Sequence, residues 1–257
     1  MRWVAAGVFT LVSTGGIVAA VSCAPFGSTE TESVPGSDGS PNVPGADGGA
    51  DGSAATRFCA SRPGAFRCFD FDGDPAEDAG FTEVAGFGTT LRITTDDATS
   101  APASLLAETT STKEPSYFVV DPVPVSRALR LEAAVRIDTV EPGVTLYVMG
   151  LQVGMCSLLL YAQPDVLFVK EYNAQTAEEQ IVEFPLRNGW MQASIRVDVA
   201  ATPPTIHVAS AGEPASLPVG CGWTKGGYRT VFGLHQAFGT FSARQAIRLD
   251  NIVIEPE

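Results

Sequence analysis

Residues 128–138 read Ala-Leu-Arg-Leu-Glu-Ala-Ala-Val-Arg-Ile-Asp, with apolar side chains at every second position. Leu129, Leu131, Ala133, Val135 and Ile137 share one face, and Arg130, Glu132, Arg136 and Asp138 share the other. In a strand successive Cβ atoms point to opposite faces, so this period makes one dry and one wet surface; a helix would scatter both around its circumference. The stretch 190–199 repeats the pattern, with Met191, Ala193, Ile195, Val197 and Val199 dry and Trp190, Gln192, Ser194, Arg196 and Asp198 wet. Further strands are expected at 66–71, 90–95, 115–121, 143–152, 156–162, 166–172, 204–209, 228–237 and 244–254. Asn188-Gly189 supplies two residues that tolerate positive φ, which predicts a type I′ hairpin joining 180–186 to 190–199. Between Leu249 and Ile252 the dry parity slips by one residue, which predicts a bulge or bend at Asp250-Asn251. No helical period of useful length competes, apart from a short turn around 173–179. This many strands without helices implies an all-β fold for residues 57–257: a two-sheet antiparallel β-sandwich of jelly-roll type.

Two segments precede that domain. Residues 1–22 carry Arg2, then no charge from Val4 to Val21, and end in small residues, as a secretory signal does. Gly7, Ser13, Thr14, Gly15 and Gly16 dilute the apolar run and argue against a retained membrane helix. Ala20-Val21-Ser22-Cys23 resembles the lipobox of bacterial lipoprotein precursors. That resemblance implies cleavage before Cys23, acylation of its thiol and a lipid-anchored exported protein, several acyl chains holding far more firmly than one. No aspartate follows Cys23, so the resemblance further implies the outer membrane; an ordinary signal peptide is the alternative. Residues 23–56 contain no Lys or Arg and echo Val34-Pro-Gly-Ser-Asp-Gly in Val43-Pro-Gly-Ala-Asp-Gly. Such a composition cannot bury enough apolar surface to offset its ordering entropy, so a disordered tether spanning about 30 Å is expected.

The chain has five cysteines. With Cys23 set apart, Cys59, Cys68, Cys156 and Cys221 form an even set, which in an exported domain reads as two disulfides. All three connectivities are open; the favoured one joins Cys59 to Cys68 in a short loop and Cys156 to Cys221 in a long one. Zinc is disfavoured, because there is no Cys-x-x-Cys and the histidines are two, His207 and His235. The formal net charge is −13, and acidic residues outnumber basic ones within 57–257 as well. That balance disfavours nucleic acid and anionic headgroups as partners.

Three segments resemble concanavalin-A-like jelly rolls, laminin-G-like domains in particular. They are Phe69-Asp-Phe-Asp-Gly73 as a first strand, Arg187–Asp198 followed by Thr205-Ile-His-Val208 as a tryptophan-bearing hairpin, and Ile247–Ile254 as a closing strand. Lectins, glycosidases, polysaccharide lyases and adhesion modules share this architecture, so the resemblance implies a fold more than an activity. It makes Trp190 either scaffold or ligand platform. The glutamate pair of the retaining glucanases is absent, as is a Gly-x-Ser-x-Gly elbow. The alginate-lyase-like pattern is echoed by Arg130-Leu-Glu-Ala-Ala-Val-Arg136, Thr205-Ile-His207 and Lys225-Gly-Gly-Tyr228. Two spacings differ and a glutamine and a tyrosine are missing; His207 or Tyr228 would be the base. The acidic string Asp70–Asp78 is not an EF-hand, but such jelly rolls often hold a structural Ca²⁺ between first and last strands, which here would use Asp70, Asp72 and Asp250. No other cofactor is expected.

The leading expectation is a surface lipoprotein whose sandwich binds extracellular polysaccharide or an envelope partner without catalysis. The residues for this are Trp190, Gln192 and Arg196 on one wet strand face and Arg130 and Glu132 on another. Aromatic faces stack on sugar rings, while Arg, Glu and Gln bond hydroxyls. A structural envelope protein without a small ligand, and a divergent polysaccharide lyase or glycoside hydrolase, are the alternatives.

Overall fold

A computed structural model of the chain describes residues 58–72, 82–86, 89–100, 103–112 and 114–257. The leader, Cys23, the tether and the acidic residues Asp74, Glu77 and Asp78 lie outside the described residues. The rest folds into two antiparallel sheets packed face to face, with one short 3₁₀ turn at Cys59–Ser61. The first sheet runs β13 (Glu213–Leu217), β12 (Thr205–Ser210), β11 (Met191–Asp198), β6 (Ala128–Thr139), β15 (Gln245–Pro256), β4 (Ser104–Thr109) and β3 (Thr90–Thr94), with β1 (Arg67–Phe69) also paired to β15. The second runs β10 (Glu178–Pro185), β9 (Val166–Asn173), β8 (Cys156–Gln163), β7 (Thr145–Val153), β14 (Gly226–Phe238), β5 (Ser116–Val125) and β2 (Thr82–Ala85).

The dry residues of β6 and β11 face the core as their alternation requires. Leu129, Leu131, Val135, Ile195 and Val197 are buried there with Phe118, Leu146, Leu160 and Phe232 of the second sheet. Fully burying each such side chain contributes about 1.5–3 kcal/mol, so the β6–β11 pair anchors the sandwich. The expected bulge in β15 is present: Asp250 stands opposite Ala134 and Val253 opposite Glu132, so one extra residue is spliced into β15. Asn251 takes the left-handed backbone this needs, at φ 50°. Leu249 and Ile252 therefore both point inward.

The predicted hairpin at Asn188-Gly189 does not form. β10 pairs with β9, whereas β11 pairs with β6 and β12, so the chain crosses between sheets at 186–190. A type I′ turn needs positive φ at both central residues, and of the two Gly189 alone has it, at 88°. A more local partner claims β10 instead. Asn173 closes the β9–β10 turn, its carbonyl accepting from Ala177 N at 2.8 Å and its side chain from Gln175 N at 2.9 Å.

Cys59–Cys68 and Cys156–Cys221 are the disulfides, closing sequence separations of 9 and 65. The second ties β8 to the segment before β14. Glu171, pointing inward from β9, holds the same segment: its carboxylate accepts from Gly220 N at 2.6 Å, Cys221 N at 3.2 Å and Trp223 Nε1 at 2.6 Å.

Candidate functional site

The residues expected to bind ligand do share the outer face of the first sheet, but they are engaged with one another. Arg130 of β6 stands directly opposite Arg196 of β11, and Glu132 opposite Ser194. Two like charges in that relation repel, and carboxylates offset them: Glu132 and Glu255 around Arg130, Asp198 and Glu257 around Arg196. Arg62 joins the network through Glu132 and Glu255. Gln192 is exposed. Trp190, one residue before β11, is half-buried and donates its indole N–H to Asp97 at 2.8 Å, with Arg136 paired to the same carboxylate. A shallow cavity of about 480 Å³ lies between Arg130, Ser194, Arg196, His207 and Ser216.

The residues that would form a lyase centre do not meet. His207 is exposed on β12 with Nδ1 at 3.1 Å from Ser216 Oγ, on the outside of the first sheet. Tyr228 is fully buried between the sheets and donates its hydroxyl to the Thr224 carbonyl at 2.8 Å. The side-chain parity of their strands decides this, since β14 points Tyr228 inward and β12 points His207 outward. The calcium candidates are likewise occupied. Asp70 accepts from Cys59 N and Asp72 N, Asp72 from Ala103 N, and Asp250 from Thr99 N, Ser100 N and Asn251 N. Among the described residues no three metal-ligating groups come together.

The outer face of the second sheet is different in kind. Register places Phe168 opposite Tyr161, Tyr161 opposite Tyr147, Tyr147 opposite Gln236, and Tyr117 opposite Gly233. His235, beside Gln236, completes a row of rings across β9, β8, β7, β14 and β5. Successive centroids are 5.1, 5.6, 4.8 and 4.6 Å apart. At about 4.8 Å per strand the row is about 19 Å long. Two irregularities flank its centre, one in β14 between Phe232 and Gln236 and one in β7 between Tyr147 and Met149. Bulges re-aim side chains, and here they bring Tyr147 and His235 together.

Tyr147 lies down along its own strand. Its hydroxyl is 2.9 Å from where a Cβ on Gly150 would stand, and the same Cβ would sit 2.5 Å from the Leu158 carbonyl, so glycine is required. Among the described residues three buried polar atoms on this face have no hydrogen-bond partner: Tyr147 Oη, His235 Nδ1 and Arg229 Nε. Burial pushes the Tyr147 phenol well above its ordinary range, seconded by Tyr161 and opposed by Arg229. Burial also pushes Tyr161 up to about 12, with a further contribution from Glu179. His235 is held below its ordinary value by burial first and by Arg229 second, so it is neutral at pH 7. A cavity of about 400 Å³ opens beside the row, lined by Thr112, Pro115, Tyr117, His235 and Gln236. Phe238 and Ile181 stand exposed on the same face. An apolar floor with unpartnered polar atoms can take a ligand that offers both C–H faces and hydrogen-bonding groups.

No protein-family model matches the chain, and no curated protein does. Its fold matches solved structures. The cellulose-induced protein Cip1 superposes with a TM-score of 0.55 and 14% identity, over 74% of this chain and 97% of that one. A carbohydrate esterase from the Shiga toxin-encoding bacteriophage phi24B gives 0.51 and 12%, over 75% and 98%. Botulinum neurotoxin type C, which interacts with two ganglioside molecules, gives 0.51 and 10% over 69% of this chain; the chain spans 43% of that structure's length. At these identities the likeness establishes the two-sheet antiparallel sandwich and nothing finer.

Proposed function

We propose that the protein is a non-catalytic carbohydrate-binding module, held at the cell surface by lipid on Cys23, and that saccharide lies along the aromatic row of the second sheet. The observation that carries the reading is the row of five rings with an open cavity beside it, lined by Tyr117 and by His235, whose Nδ1 has no partner. Leaving a buried polar atom unbonded costs about 1–3 kcal/mol, which a ligand's hydroxyl or carboxyl recovers. The first sheet's outer face offers less, because a sugar there must displace ion pairs already made. Three neighbours in fold are described through carbohydrate: a cellulose-induced protein, a carbohydrate esterase and a ganglioside-binding toxin.

A glycan array probed with the detergent-purified full chain is expected to give hits. On a hit, Tyr117→Ala should weaken binding by about 1–3 kcal/mol, the usual cost of removing an aromatic anchor. Trp190→Ala should lower the melting temperature, since it removes a half-buried indole and its bond to Asp97, yet leave affinity unchanged. The reverse outcome would move the ligand to the first sheet, and an array without hits would end the carbohydrate reading. The anchor has its own test. Cys23→Ser should shift the protein from the membrane pellet to the soluble fraction, and an unlipidated wild-type N-terminus would remove the anchor from the proposal.

A further inference from the structure

The Asn188-Gly189 pair lies in the crossover between the sheets, and the residues on either side of it are held. Leu186 N donates to the Asp165 carbonyl at 3.1 Å and Arg187 N to Met191 Sδ at 3.3 Å, while the Arg187 side chain pairs with Glu213 of β13. Trp190 donates its indole N–H to Asp97 at 2.8 Å, and Met191 is buried at the start of β11. Between these ends Asn188 and Gly189 are exposed. Among the described residues neither the Asn188 side chain nor the Gly189 N–H has a hydrogen-bond partner. Nothing stands within 4 Å of the place a Cβ on Gly189 would take, so the backbone there is unobstructed.

The chain has four asparagines, and the two others that are described sit differently. Asn173 is half-buried; its Oδ1 accepts from Gln175 N at 2.9 Å and its Nδ2 donates to the Gly220 carbonyl at 3.4 Å. The N–H that follows it, on Ala174, donates to the Met155 carbonyl at 2.9 Å. Asn251 is buried in the β15 bulge, its Oδ1 accepts from Ser100 Oγ at 2.9 Å, and the next residue is Ile252 of the core. Asn42 lies outside the described residues and precedes Val43. Asn188 thus combines an unbonded side-chain amide, an unbonded following N–H and a following glycine.

Asparagine is a chemically labile residue, because the backbone nitrogen after it stands within reach of its side-chain carbonyl carbon. Glycine lets the backbone turn into the attacking geometry, where a Cβ would obstruct it. We infer that Asn188 is a site of spontaneous deamidation in the folded protein, and that the crossover tolerates the product. The Gly189 nitrogen gives up its proton to solvent base and attacks the Asn188 side-chain carbonyl carbon. The new N–C bond closes a five-membered succinimide, the bond to the side-chain nitrogen breaks, and ammonia leaves with a proton from water. Water then adds to either ring carbonyl and opens the ring to aspartate or isoaspartate. Both products place a carboxylate beside Arg187, and isoaspartate also adds one main-chain carbon between the two held ends. Neither change removes a contact that Leu186, Arg187, Trp190 or Met191 makes. The reaction is independent of what the second sheet binds.

The test incubates the detergent-purified full chain for weeks at mildly alkaline pH and maps it peptide by peptide by mass spectrometry. A reduced sample kept unfolded in guanidinium chloride runs beside it. Asn188 should convert in the folded chain within about threefold of its unfolded rate, because backbone without hydrogen bonds opens at near-zero free energy. Ala174→Gly gives Asn173 the same following residue and separates structure from sequence. Asn173 in that variant should convert at least about tenfold more slowly folded than unfolded, since its amide is bonded. Asn188→Gln should abolish the acidic species seen on anion exchange, and Asn188→Asp should reproduce it. The isolated acidic species should melt within about 2 °C of the parent. An Asn188 that survives in the folded chain while the unfolded chain converts would overturn the inference. So would folded Ala174→Gly protein in which Asn173 deamidates as fast as Asn188. An acidic species that melts well below the parent would overturn the tolerance of the crossover.

Discussion

Replacing Cys156 and Cys221 together by serine is expected to lower the free energy of unfolding by about 4 kcal/mol. The bridge closes a sequence separation of 65 residues, and the loop-closure entropy it removes from the unfolded chain corresponds to roughly that figure. The separation of 9 spanned by Cys59–Cys68 corresponds to about 3 kcal/mol by the same relation, so the two double variants should rank in that order. Glu171 keeps a second hold on the segment through Gly220 N, Cys221 N and Trp223 Nε1, so the native state without the bridge should retain its local structure. The loss should therefore appear as a shift in urea midpoint with little change in near-ultraviolet signal from Trp223. A loss below about 1 kcal/mol, or four free thiols in the wild-type protein, would show that the bridge is not what secures this end of the sandwich.

The parts of the fold legible in the sequence are those where one face of a strand is wet. β6 and β11 announce themselves because Arg130, Glu132 and Arg196 alternate with Leu129, Leu131 and Ile195; burial follows that parity along β11, while in β6 Glu132 is buried as well, beneath Arg62 and Arg130. The Asp250-Asn251 bulge is legible for the same reason, as a slip in parity. β4 carries no such mark: all six residues from Ser104 to Thr109 are buried, so hydropathy does not alternate along it. The Asn188-Gly189 turn signal is real as a local preference, and Gly189 does adopt positive φ, but pairing is decided by which neighbour buries each dry face. Once the Asn173 turn has closed β10 onto β9, β11 finds its partners in β6 and β12.

The aromatic row was hidden by its own composition. Leu159 and Tyr161 on β8, Val119 and Tyr117 on β5, and Val231 on β14 point away from the core yet are apolar, so these strands read as continuous hydrophobic runs with no outer face. The signal available was positional. An aromatic residue occurs at the outward parity of β5, β7, β8 and β9 alike, and only the register of the folded sheet shows that Tyr117, Tyr147, Tyr161 and Phe168 fall in one line. The wet face of the first sheet gave the opposite impression. Its charges look available along the sequence, and cross-strand pairing consumes them.

Asp250 should make the protein less stable as pH rises through the weakly acidic range. The residue is fully buried, and burial raises its carboxyl from 3.8 to about 6 against the pull of hydrogen bonds from Ser100, Asn251 and Thr99. A proton taken up there has a place to go. Ser100 Oγ lies 3.2 Å from both carboxyl oxygens and 2.9 Å from Asn251 Oδ1, so a protonated Asp250 can donate to Ser100 while Ser100 donates to Asn251. The folded state thus binds this proton more tightly than the unfolded chain does. Its stabilising contribution is complete below the unfolded value of 3.8 and is lost as pH passes the folded value of about 6, roughly 3 kcal/mol across the window. Asp250→Asn cannot ionise, and its amide forfeits acceptor bonds at every pH. The difference in unfolding free energy between wild type and variant should therefore change by about that amount between about pH 3 and about pH 7, wild type being favoured at the acidic end. Parallel stability curves would mean that the surrounding N–H donors keep the carboxylate ionised throughout. A Ca²⁺ held by Asp70, Asp72 and Asp250 would reverse the sign, because the cation requires the charged form; millimolar Ca²⁺ would then raise the wild-type melting temperature and leave Asp250→Asn unmoved.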